Sequence, residues 1–80
     1  MLQFICNELV TGMTYVSLAH NSQTDEKRLR NQQNSRKAYD TAQRFFEQHV
    51  ARKGTKRPDL RDGLTKLRNL LIELGEKFEE

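Results

Sequence analysis

Cysteine, proline and tryptophan are nearly absent from this 80-residue chain. It holds one cysteine, one proline and no tryptophan. With Cys6 alone, no disulfide can form within the chain, and the usual staple of a small secreted domain is excluded. A single proline, Pro58, leaves long stretches free to form helix. His20 and His49 are far apart, and neither a CxxC nor an HExxH spacing occurs, so the pattern of a metal site is missing. The four glycines do not form a phosphate-binding loop, and no serine sits in a GxSxG context. No metal and no cofactor is expected. Lysine and arginine are absent before Lys27. The stretch 1–19 ends Ser17-Leu18-Ala19, which has the small-x-small form of a signal cleavage site. It lacks a basic start, however, and Gln3, Asn7, Glu8 and Thr11 interrupt its apolar run. The run is also too broken to span a membrane. It reads as a buried helix of a cytoplasmic protein.

What is present is a leucine seam. Leu60, Leu64, Leu67, Leu71, Leu74 and Phe78 are spaced 4, 3, 4, 3 and 4 apart. That alternation keeps one apolar stripe on one side of a helix, which must be buried against other helices. The spacing predicts a helix over about 58–77, with Pro58 in its first turn, where its missing N–H has no helical partner to lose. Leu2, Ile5, Leu9, Met13 and Val16 form a second stripe and predict a helix over about 2–19. Gly12 and Ala19 lie on its buried side. A third helix is expected over about 25–52, capped by Ser22 or Thr24, with Asp25 and Glu26 favoured by the helix dipole. Its second half carries Tyr39, Ala42, Phe46 and Val50 on one face. Short joints make sequential helices antiparallel. The expected fold is therefore all-α, a single domain over 1–80 built as an antiparallel up-down-up three-helix bundle. The core is expected from Leu9, Met13, Val16, Tyr39, Phe46, Leu64, Leu67, Leu71 and Leu74. A domain of this size buries only about 60 per cent of the surface its unfolded chain exposes, so association with another chain is a natural source of stability.

Charge is unevenly distributed. The net charge is +3. Residues 1–26 carry three acidic groups and no basic one. Residues 27–68 carry thirteen basic groups against four acidic, or +9, and residues 69–80 carry one basic against four acidic, or −3. A basic band between acidic ends attracts phosphates but also pairs with the chain's own carboxylates. Phosphate contacts to a nucleic acid would come from Lys27, Arg28, Arg30, Arg36, Lys37, Arg52, Lys53, Lys56 and Arg57. No aromatic residues interleave with them, which favours a solvated helix face. Phe4, Val10 and Leu18 fall off the stripe of the first helix, and Ile72 lies on the outer side of the last. These four are the candidate partner interface, with a second copy of the chain as the first candidate partner.

Three resemblances add expectations. The pair Arg44 and His49, in Arg44-Phe45-Phe46-Glu47-Gln48-His49, resembles the Rx4-6H signature of HEPN ribonucleases, in which such a pair acts on the scissile phosphate. Phe45 stands where that family usually has a polar residue. The run Arg30-Asn31-x-x-Asn34-x-Arg36-Lys37-Ala38-Tyr39-Asp40-Thr41 is similar to one in small bacterial all-helical proteins of unknown function, which implies a bacterial cytoplasmic helical protein. The spacing of Ala38, Tyr39, Ala42 and Phe46 resembles one helix of a tetratricopeptide-type hairpin or of a microtubule-interacting and transport domain. Both bind peptides or helices in a groove between their own helices. The expected function is a non-enzymatic protein-interaction module that self-associates. Nucleic-acid binding through residues 27–68 is the alternative, and ribonuclease action through Arg44 and His49 the distant one.

Overall fold

A computed structural model describes residues 2–51 and 57–78. Three α-helices follow one another: α1 Leu2–His20, α2 Asp25–Phe46 and α3 Pro58–Glu73. The fold is an all-α three-helix bundle, and no strand occurs among the described residues. Cross-helix contacts fix the directions. Phe4 meets Phe45, and Ser35 bonds Gly12, so α1 and α2 are antiparallel. Arg61 lies over Phe46 and Arg36 reaches Glu76, so α2 and α3 are antiparallel. Leu9 packs at Gly63 and Leu67 at Gly12, so α1 and α3 run parallel. The order is up-down-up.

Local chemistry sets the helix ends. The Ser22 hydroxyl donates to the Leu18 carbonyl at 2.6 Å and closes α1. Thr24 is the residue that caps α2: its backbone is extended, and its hydroxyl accepts the Lys27 N–H at 3.2 Å. Such a cap is worth about 1 kcal/mol. Pro58 opens α3, with Asp59 in the same turn.

Two ends differ from the sequence expectation. The second helix was expected to continue as α-helix to about residue 52. It is α-helical only to Phe46 and then widens into a π-helical turn, Glu47–Ala51. Val50, in this wider turn, is buried in the same core cluster as Phe46. Residue 52 lies outside the described residues. The last helix was expected to reach residue 77 but ends at Glu73. Gly75 has φ +104°, a conformation that costs a side-chain-bearing residue energy. The Gly75 N–H donates to Ile72 at 2.9 Å and the Glu76 N–H to Leu71 at 3.0 Å, which is the Schellman pattern of a helix stop. Residues 76–78 turn back towards α2.

The core unites Ile5, Leu9 and Val16 with Tyr39, Phe46 and Val50, and both with the leucines of α3 from Leu60 to Leu71. Met13 and Leu74, expected in the core, are partly buried at its margin. Close approach of α1 and α2 rests on small residues. Gly12, Ala19, Ser35, Ala38 and Ala42 are all buried. The buried Ser35 hydroxyl donates to the Gly12 carbonyl at 2.7 Å. A β-carbon at Gly12 would lie 2.5 Å from Leu67 Cδ2 and 3.5 Å from Ala38 Cβ. Gly12 is therefore a notch on α1 where all three helices meet.

Leu67→Ala is expected to cost about 2–5 kcal/mol, because the wholly buried side chain leaves a cavity. Gly12→Ala gains up to about 1 kcal/mol in helix propensity. Overpacking against Leu67 costs about 1–3 kcal/mol and outweighs it. In a Leu67→Ala background the clash is gone, so Gly12→Ala turns from destabilising to neutral or stabilising. Urea unfolding of the four chains in this cycle measures the reversal.

Candidate functional site

A cleft of about 580 Å³ lies between α2 and α3. Phe46 and Leu64 form its buried floor, and Tyr39 stands beside them. Gln43 and Glu47 form the α2 rim, and the Gln43 amide donates to the Glu47 carboxylate at 2.8 Å. Arg61, Thr65 and Arg68 form the α3 rim. Their spacing of four and three puts them on one side of the helix, each arginine directly following a seam leucine. The Arg61 guanidinium carbon lies 6.0 Å over the Phe46 ring. No carboxylate pairs with Arg61 among the described residues.

The segment that returns after Gly75 closes one end. The Phe78 ring meets Tyr39 edge-on, 5.2 Å between centroids. Arg36 lies 4.0 Å over the same ring and Arg68 5.2 Å. Each such contact contributes about 0.5–1 kcal/mol where the cation stays partly in water. Glu76 holds the segment to α2 by accepting from Arg36 at 2.9 Å and from the Gln32 amide at 2.6 Å. Arg36 also donates to the Lys77 carbonyl at 2.9 Å and to Asp40 at 3.0 Å. Burial pulls the Arg36 guanidinium towards a lower pKa, but the hydrogen bonds and charges of Asp40 and Glu76 outweigh it and leave the pKa raised. Burial pushes the Tyr39 phenol up, against the opposing charge of Arg68.

The candidate phosphate contacts do not form one patch. Arg28 pairs with Asp25, Arg57 with Asp59, and Arg36 is committed to Asp40 and Glu76. The Arg57 hydrogen bond holds the Asp59 carboxyl below the usual carboxylate range. Arg52, Lys53 and Lys56 lie outside the described residues. Lys27, Arg30 and Lys37 are exposed and have no carboxylate partner among the described residues. Arg30, Lys37 and Arg44, seven apart, run along one side of α2.

The four candidate interface residues are all exposed: Phe4 39%, Val10 65%, Leu18 48% and Ile72 46%. They do not lie together. Phe4 and Leu18 are about 21 Å apart along α1, and Ile72 stands on α3. Phe4 also packs edge-on against Phe45, 4.8 Å between centroids. The His49 ring stacks on the other partner of that row, Phe45, at 5.5 Å. Neither Arg44 nor His49 lines the cleft. Among the described residues no cluster of His, Cys, Asp or Glu could hold a metal ion, and no helix is long and apolar enough to cross a membrane.

Sequence reasoning missed Gln43, Arg61, Thr65, Arg68 and the returning Glu76. The available signal was the pair of arginines flanking the leucine seam at heptad spacing. Comparison with protein-family models, curated proteins and solved structures found no match.

Tyr39 sets a pH dependence. Its folded pKa lies above the unfolded value of about 10, so the stability it contributes is complete below that pH and is lost as pH rises through the folded pKa. In a Tyr15→Phe chain Tyr39 is the sole phenol. Its phenolate absorbance is expected to emerge at higher pH than that of free tyrosine, in step with loss of helical circular dichroism. A midpoint at the free-tyrosine value contradicts this.

Proposed function

We propose that the chain is a non-enzymatic protein-binding module whose docking site is the α2–α3 cleft. The observation that carries the reading is the cleft's composition. An aromatic and leucine floor sits between polar rims, one of them bearing Arg61 without a carboxylate partner among the described residues. Apolar floors with a few placed polar groups suit partner side chains. The chain's own Phe78 already uses one end in that way. Self-association through the outer face of α1, with Phe4, Val10 and Leu18, belongs to the same reading. A half-buried lone thiol, Cys6, fits a reducing compartment, and the likeness of the 30–41 run fits a bacterial cytoplasmic protein.

One observation favours a second reading. The line of Arg30, Lys37 and Arg44 leaves three cations for phosphates along α2, so nucleic-acid binding would use this side and not the ion-paired Arg28, Arg36 and Arg57.

Affinity capture with the intact chain separates these readings. Thr65→Arg is expected to block the cleft and remove captured proteins, while Val10→Lys leaves all but a second copy of the chain in place. Lys37→Glu with Arg44→Glu is expected to leave protein capture unchanged. If that pair instead abolishes a salt-sensitive complex with RNA or DNA while Thr65→Arg does nothing, the cleft reading falls.

A further inference from the structure

Resting on that reading, we infer that the cleft takes an acidic peptide segment bearing an aromatic side chain, and that Glu76–Phe78 is a resident occupant whose ring fills one end of the same cleft and stands in the way of the incoming segment. The returning segment displays the chemistry on this very surface. Its carboxylate, Glu76, is held by a guanidinium and an amide of α2. Two positions on, its aromatic ring lies against Tyr39 and beneath two guanidinium groups. The unfilled remainder of the cleft repeats the same elements: Arg61 over Phe46, a glutamine amide at Gln43, and the hydroxyl of Thr65 on the rim. A second aromatic side chain fits over Phe46 and Leu64, with its flanking carboxylates on Arg61.

Charge complementarity selects the occupant. Arg61, which has no carboxylate partner among the described residues, is the cation that the unfilled part of the cleft offers, with Glu47 on the opposite rim already accepting from Gln43. The segment that follows Gly75 reads Glu-Lys-Phe-Glu-Glu, three carboxylates around one aromatic. Gly75 turns the chain back, and release of the segment breaks the Glu76 contacts to Arg36 and Gln32 and the Phe78 contact to Tyr39. The resident segment thus lowers the fraction of molecules competent to bind in trans.

The test uses a fluorescent peptide with the sequence of residues 74–80 and the full-length chain. The peptide is expected to bind a Phe78→Ala chain saturably and about tenfold more tightly than the unmodified chain, because the competing ring is gone. Added Arg61→Glu should abolish that binding. Alanine for phenylalanine in the peptide, or lysine for its glutamates, should do the same. Should Phe78→Ala fail to keep its helical circular dichroism, excess peptide on the unmodified chain is followed by NMR. Shifts at Gln43 and Thr65, with Thr14 on α1 unmoved, support the inference. Absence of saturable binding, or binding indifferent to Arg61→Glu, overturns it. If the peptide fails while Thr65→Arg still removes captured proteins, the cleft remains the docking site and the acidic–aromatic class is the part that is wrong.

Discussion

Leu67 seated in the notch at Gly12 is the contact on which the bundle depends. Gly12 removes a side chain from α1 at the one point where α2 comes close enough for the Ser35 hydroxyl to reach its carbonyl. Leu67 of α3, wholly buried, fills the space so left. A chain of this size has little apolar area to spare, so one contact shared by three helices matters more than it would in a larger domain. Small residues let the helices approach, and the leucine turns that approach into a single packed core.

The site follows from where the third helix stops. With α3 fixed by its leucines, its arginine-bearing edge faces α2 across open space. Gly75 then ends the helix and sends Glu76 and Phe78 back across one end of that space. The cations of the nominal basic band are divided by this arrangement. Arg36 serves the returning segment, Arg28 and Arg57 serve nearby aspartates, and Arg61 and Arg68 line the cleft.

The helices and their buried faces were legible because spacing of three and four is a direct consequence of helical geometry. The all-α bundle and the Leu60–Leu71 seam rest on nothing else. Both misjudged ends are places where local and tertiary chemistry override that period. Gly75 sits in phase with a helix, yet its freedom at positive φ is used to stop one. The row from Phe46 to Val50 has ordinary α-helical spacing, and nothing in that spacing marks the change to a π-helical turn at Glu47. The cleft was illegible for a different reason. Arg61 and Arg68 read as solvated charges on any helical wheel, and only the juxtaposition of α2 makes them a rim. Phe78 looked like the last rung of the leucine seam, whereas it reaches the core by a reversal of the chain.

Native-state hydrogen exchange on the intact chain addresses the shared contact most directly. Amides near Gly12, near Ser35–Ala42 and near Leu64–Leu71 are expected to form the slowest class and to exchange through one common opening free energy, equal to that of global unfolding. If the amides of α3 exchange as a separate, faster unit while α1 and α2 remain protected, Leu67 at Gly12 does not hold the three helices together.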